Sequence, residues 1–421
     1  MKRNLGAMEK MFYNYKSTIM LYAQIRGKIN AERLKTVLRK LQDRHPMMKV
    51  TINLDEAGQP MFITNNHLEI PYKLITNTSV ETWVQTAEKE LTRPFKIEQE
   101  LLWKVVALTS SHDFKISEEF ELLVFADHCL ADGMSFMFLL RDLLEILSNP
   151  DKEVIPLGDF PAVDDMLPPE IINQIQKIEQ RSHEITDIQS EVTSTIPQPI
   201  EDTKIPSRES QKLGLIPWTM NSEIYGKFRD RCKLEGITQY SGLCTALLLA
   251  FDRDPPRINI PVDIRNYLKQ DVGESIGFYI SSINLGLKVR QVKRFWKMAQ
   301  KFNSRLKQNL KIAQLFNWFL LEKSAYAKAI KSVLKNDPLT TFWVSNLGSL
   351  KIPVIYGDYE VTSMRFAFPN YQELGVTINS VKDQLFLTIS FPFMVYSKET
   401  INGKIKNLTE ILQSAIEIPN E

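Results

Sequence analysis

The stretch FELLVFADH, residues 120–128, constrains the fold more than any other. Leu122, Val124 and Ala126 alternate with Leu123 and Phe125, so both faces of an extended segment are apolar. A strand of that kind belongs in the interior of a sheet covered on both sides. The same alternation puts His128 on the Leu122 face and Asp127 on the opposite one, so these neighbours are not set up as a hydrogen-bonded dyad. Asp132-Gly133 then reads as a turn. Met134–Leu147 reads as a helix with Phe138, Leu139, Leu143 and Ile146 inward, and Asp132 or Ser135 is placed to cap it.

With 421 residues, the chain exceeds one ordinary core and suits two domains. Lys and Arg total 52 against 50 Asp and Glu, a net +2 that steers the protein toward neither nucleic acid nor acidic partners. Cys129, Cys232 and Cys244 are odd in number and lack metal-ligand spacing, which suits buried thiols in a reducing compartment. The N-terminal residues show no apolar run of signal-peptide length, and GLCTALLLAF (242–251) is too short to span a bilayer. A cytoplasmic location is expected.

Three blocks follow from periodicity and composition. Residues 1–150 mix strands (17–25, 101–109 and 119–129) with a helix whose apolar face is Leu34, Val37, Leu38 and Leu41. A hairpin is expected around Asp55–Gly58, and a further helix over 80–95. Residues 151–202 carry 12 acidic and 3 basic residues with clustered prolines, so 151–212 read as an exposed acidic crossover linker holding one helix near 169–185. Residues 213–421 form a second block: two helices before RINIPVDIR, a helical stretch over 291–335, strands near 340–348, 364–369 and 382–393, and a last helix. The element content of the two outer blocks is compatible with one mixed α/β (α+β) fold used twice.

A histidine at the end of a buried strand can present a ring nitrogen to a cleft, with a pKa suited to proton abstraction. By itself His-x-x-x-Asp-Gly leaves two readings open, a general base or a polar turn residue. The wider chain resembles the coenzyme A-dependent acyltransferase superfamily, whose members include chloramphenicol acetyltransferase, alcohol and polyketide-associated acyltransferases, and the condensation domains of nonribosomal peptide synthetases. His128 to Gly133 match its HxxxDG signature. LRKLQDRHPMMKV (38–50), RPFKIEQELLWKV (93–105), PVDIRNYL with GESIGFYIS (261–281) and VSNLGSL (344–350) are similar to four further segments, in the family's order.

That resemblance implies two chloramphenicol-acetyltransferase-like domains arranged as a pseudo-dimer around a central tunnel, with His128 at its middle. It implies an acyltransferase. His128 takes the proton from an acceptor alcohol or amine, which attacks an acyl thioester directly, without an acyl-enzyme. The donor is acyl-CoA or a phosphopantetheine-linked thioester, with no bound cofactor, and any acyl or peptidyl carrier protein is expected to be a separate chain. Asp132 and Gly133 shape the turn, and Asp132 pairs with Arg265. Ser345 and Asn346 are candidates for polarising the oxyanion. An ester product is preferred. The alternatives are a free-standing condensation domain that forms an amide and a non-catalytic module that binds carrier proteins or lipids. The first histidine of the condensation-domain HHxxxDG is Asp127 here, and the C-terminal DFGWG of plant alcohol acyltransferases is missing.

Residues 287–336 hold 13 Lys and Arg against Glu322 alone. The plain reading is a pair of solvated helices. The functional one is docking of an anionic donor, with Lys293, Arg294, Lys297 and Lys301 as the contacts, or peripheral contact with an anionic membrane. Neither nucleic acid nor a metal is implied, and a monomer is the expected state. His45, His67, His112 and His183 sit at a helix end, a turn, a loop and the linker, which makes them poor catalytic candidates.

Overall fold

The computed structural model describes residues 1–76, 82–109, 118–186, 212–252, 257–287, 294–316, 342–349, 352–369 and 373–417. In chain order the first strands are β1 (Lys2–Asn4), β2 (Thr18–Arg26), β3 (Val50–Leu54), β4 (Pro60–Thr64), β5 (Tyr72–Thr76), β6 (Trp103–Thr109) and β7 (Glu119–Asp127). After them come β8 (Leu213–Met220), β9 (Arg257–Asp263), β10 (Ile280–Gly286), β11 (Phe342–Ser349), β12 (Ile355–Tyr356), β13 (Tyr359–Ala367), β14 (Leu374–Val381) and β15 (Gln384–Pro392). The helices are α1 (Ala7–Tyr15), α2 (Ala31–Arg44), α3 (Trp83–Thr92), α4 (Gly133–Ser148), α5 (Pro169–Thr186), α6 (Ser222–Leu234), α7 (Gln239–Phe251), α8 (Phe295–Asn309), α9 (Ile312–Leu315) and α10 (Lys398–Glu417). Among the described residues, no helix is long and apolar enough to cross a membrane.

β7 is a central strand, as its two apolar faces require. The first large sheet runs β12-β13-β2-β7-β6-β5, and β7 is antiparallel to both neighbours, with Thr18 opposite Asp127 and Trp103 opposite Ala126. β3 and β4 form the expected hairpin, which β1 extends to three strands. α2 buries Leu34, Val37, Leu38 and Leu41 and packs on α4, and Asn30 caps it by accepting from Arg33 N at 2.8 Å. The second sheet runs β10-β9-β11-β14-β15-β8. Val376, Ile378, Leu387 and Ile389 share one face of it, in the core beneath α6, α7, α8 and α10.

Two features depart from the sequence reading. β12 and β13 lie in the second half of the chain yet complete the first sheet, so a boundary at residue 212 does not separate the two sheets. β13 pairs with β2, leaving carbonyls along its other edge. Second-sheet side chains meet them: Asn379 Nδ2 donates to Met364 O (2.9 Å), Thr377 Oγ1 to Phe366 O (2.5 Å) and Ser390 Oγ to Phe368 O (2.6 Å). An edge that would be a liability in isolation thereby becomes the seam between the two sheets. From the same strand the buried Arg365 guanidinium donates to Trp218 O, Leu387 O and Thr219 Oγ1.

The second departure is in the acidic segment. Val163, Met166, Leu167 and Ile171 are buried in the second core, so the early part of 151–212 is packed structure rather than exposed linker. They are spread over a 3-10 turn (Val163–Met166), the extended Leu167 and the start of α5, so no single period marks them in a sequence crowded with acids and prolines. Residues 187–211 lie outside the described ones. Truncating Ile171 to alanine is expected to cost about 2–5 kcal/mol in urea unfolding. A change within about 0.5 kcal/mol would match an exposed linker instead.

Candidate functional site

β7 ends at Asp127 and the chain turns at once. His128 N donates to Ser17 O (2.7 Å), while Leu130 N donates to Asp127 O (2.9 Å). Asp127 Oδ1 accepts from Cys129 N at 3.0 Å, and His128 Nδ1 lies 3.0 Å from Ala131 O. The neighbouring acid and imidazole therefore serve separate partners. A carbonyl oxygen only accepts, so Nδ1 carries the hydrogen and the neutral ring keeps its lone pair on Nε2. Burial holds the His128 pKa below the ordinary imidazole value, against the opposing pull of Ala131 O and Asp132. The ring is thus neutral and basic near pH 7. Cys129 is fully buried and its thiol is pushed up by burial, which leaves it a packing residue.

Four residues on, Asp132 is buried completely and caps α4. Its Oδ1 accepts from Ser135 N at 2.8 Å and from Arg265 Nη2 at 3.0 Å. Its Oδ2 accepts from Tyr279 N at 3.0 Å and lies 2.9 Å from Arg265 Nη1. Ser135 Oγ lies 2.9 Å from Asp132 Oδ1 and 3.0 Å from Gly277 O, and it accepts from Gly277 N at 3.2 Å. The Arg265 guanidinium stacks over Tyr279, 4.6 Å from the ring centroid, and contacts Asp263 at 3.2 Å. Burial alone would raise the Asp132 pKa; Arg265 and the two backbone N–H groups overcome it and hold the carboxyl below the usual range. Arg265 and Tyr279 lie beside β9 and β10, so this cluster ties the His128 turn to the second sheet.

Gly133 is needed for a close approach, because a Cβ there would come within 2.7 Å of Leu347 Cδ2. The end of β11 therefore touches the start of α4, which puts the Ser345-Asn346 segment beside the turn. Ser345 is half-buried. Asn346 is exposed, and its Oδ1 accepts from Gly348 N at 2.9 Å. The basic candidates are elsewhere: Arg294 just before α8 and Lys297 and Lys301 on it are exposed, and α8 packs against α7 and ties to α10 through Trp296 Nε1 and Ala415 O. Lys293 lies outside the described residues.

Several groups at the site gave no signal of their own in the sequence. Phe12 of α1 and Phe278 flank the imidazole, with ring centroids 4.3 and 5.2 Å from it. Ser135 is readable as a cap, but its links to Arg265 and Gly277 join residues more than 100 positions apart. A second bridge spans the same junction. Buried Asp142 accepts from Arg44, from His45 Nε2 (2.9 Å) and from Arg141, and both arginines also hold Glu274. His45 is a buried structural residue in this bridge. A cavity of about 300 Å3 lies beside it, lined by Met134, Met137, Phe138, Arg141, Asp263 and Glu274 among others.

The condensation-domain family matches residues 7–421. Cyclosporin synthetase simA of Tolypocladium inflatum is 21% identical over 419 residues, covering 95% of this chain and 3% of that protein. Tyrocidine synthase 3 of Brevibacillus parabrevis is 21% identical over 418 residues, covering 97% of this chain and 6% of that protein. The chain therefore spans a small part of these relatives. Among solved structures, the first condensation domain of the calcium-dependent antibiotic synthetase superposes with a TM-score of 0.74 at 14% identity, covering 100% of this chain and 98% of that one. TRI3 trichothecene 15-O-acetyltransferase from Fusarium sporotrichioides gives 0.70 at 13% identity, covering 98% and 95%. At these identities the likeness establishes the two-lobed fold.

Asp132→Ala is expected to cost about 3–5 kcal/mol in urea unfolding, because it leaves the Arg265 charge buried and unpaired. The double variant Asp132→Ala/Arg265→Met should recover part of that loss. Strictly additive costs would mean that the two groups are not coupled.

Proposed function

The chain belongs to the condensation-domain family, and from that premise we propose that it moves an acyl group from a thioester to a hydroxyl or amine acceptor, with His128 as general base. The observation that carries this reading is the His128 ring itself: Nδ1 is committed to Ala131 O and Nε2 keeps its lone pair. Nε2 takes the acceptor's proton as the acceptor oxygen or nitrogen attacks the thioester carbonyl. The tetrahedral intermediate then expels the thiolate, which recovers the proton from the imidazolium. Ala131 O accepts throughout and favours the charged ring as it forms. No side-chain nucleophile is needed, which agrees with the inert surroundings of Cys129.

Asp132, Gly133 and Arg265 act by holding the turn that aims His128. Ser345 and Asn346 are the groups assigned to the developing oxyanion, since their segment adjoins the turn through Leu347. One such donor contributes about 10²–10³ in rate. The donor is acyl-CoA or a phosphopantetheine-linked thioester, and Arg294, Lys297 and Lys301 offer its phosphates or an acidic carrier protein an exposed basic face in the cytoplasm. Two products are supported by different relatives: an amide by the synthetases simA and tyrocidine synthase 3, an ester by the TRI3 15-O-acetyltransferase. The complete Asp132–Arg265–Ser135 cluster argues against a purely binding role.

His128→Ala should lower thioester turnover by about 10²–10⁴, the usual worth of a general base. Equal turnover in both proteins would contradict the proposal, and comparing acyl-CoA with an acyl carrier protein identifies the donor. The base must be neutral and burial lowers its pKa, so the rate should be level through pH 7 and fall only at a pH below the ordinary imidazole range. A rate that instead rises through pH 7–8 would assign the proton transfer to another group.

A further inference from the structure

Two phenyl rings pack on the imidazole of His128. Phe12 lies 4.3 Å from His128 and 4.8 Å from Phe278, and Phe278 lies 5.2 Å from His128, so the triangle is closed. Phe278 is buried, whereas Phe12 and His128 each keep part of their surface accessible. The helix that supplies Phe12 is held from three sides. Ala7 N donates to Asp164 Oδ2 at 3.0 Å, and Gly6 N donates to Glu9 Oε2 at 2.7 Å while Glu9 also pairs with Arg3. Leu5 lies in the first core and Met8 in the second, with Phe12 packed against both. Lys16 ends α1 in the left-handed region, and the next residue, Ser17, accepts from His128 N through its carbonyl. The segment that carries Phe12 is thus hydrogen-bonded to the backbone of the residue its ring covers.

We infer that Phe12 is a specificity-determining residue: with Phe278 it covers the flanks of the His128 ring, so that Nε2 is reached by an acceptor seated in the cleft and not by bulk water. The inference rests on the acyl-transfer reading above. A base that activates a hydroxyl will also activate water. Attack by a water oxygen forms the carbon–oxygen bond, breaks the carbon–sulfur bond and passes the proton by way of Nε2 to the leaving thiolate, so the acyl group is lost as free acid. Nothing in the electronics of the imidazole separates the two oxygens; exclusion of water has to come from the walls. Two apolar rings offer water no hydrogen-bond partner. Removing the one on α1 opens the side that Phe278 does not cover.

Carbethoxylation of His128 by diethyl pyrocarbonate, followed at the His128 peptide by mass spectrometry, reads this shielding without any substrate. Phe12→Ala should react about tenfold faster than the wild type, Phe12→Leu should stay close to it, and Tyr15→Ala, altered at an exposed position on the same helix, should not change. Phe12→Ala should also release free acid from acetyl-CoA about tenfold faster in the absence of acceptor, and adding His128→Ala should remove that gain. A folded Phe12→Ala protein with the wild-type rate of His128 modification would overturn the inference; if that variant does not fold, a wild-type rate in the smaller Phe12→Val would do so. Faster modification with thioester left intact by every variant would uphold the shielding and overturn the acyl-transfer reading, so the two failures are distinguishable.

Discussion

The carboxylate of Asp132 is the constraint on which the site depends. It sits at the end of a turn, fully removed from water, where an uncompensated charge is costly. Its compensation comes from both lobes: Ser135 from its own helix, Arg265 and Tyr279 N from the region of β9 and β10. The lobes cannot separate at this point without stripping partners from a buried ion. The turn cannot relax either, because Asp132 caps α4 and Ala131 O, one residue before it, receives His128 Nδ1. The charge is thus spent on its partners within the turn and the second sheet, and it holds the turn from which His128 Nδ1 reaches Ala131 O.

Around that ion the junction is built from polar contacts of different kinds. The β13 edge is met by Asn379, Thr377 and Ser390, and the Arg44–Asp142–Arg141–Glu274 bridge spans the flank. Apolar packing crosses the junction too: Leu213, Leu215, Val381 and Phe386 of the second sheet lie in the first core, and α1 packs on both cores.

Much of this was legible in the residues. Two apolar faces made β7 a central strand, helical spacing made the inward face of α2, and Asp132 stood where an N-cap belongs. Alternation separated Asp127 from His128, and the two take different partners. What was missed shares one physical cause. The partner of β13, the rings around His128 and the Ser135–Gly277 contact are long-range pairings, and the local pattern of a strand does not say which sheet it joins. The packed part of the acidic segment is the exception. Val163, Met166, Leu167 and Ile171 fall in a 3-10 turn, an extended residue and the first turn of α5, so no one period reveals them, and the acids and prolines between them lower the average on which a linker reading rests.

The central claim is that the turn presents a neutral imidazole with hydrogen on Nδ1 and a free Nε2. Nitrogen-15 NMR of the protein labelled in its histidine rings tests this directly at pH 7, with His128→Gln identifying the resonance. The expected result is a protonated Nδ1 and an unprotonated Nε2 at His128. A hydrogen resident on Nε2, or an imidazolium at that pH, would contradict it.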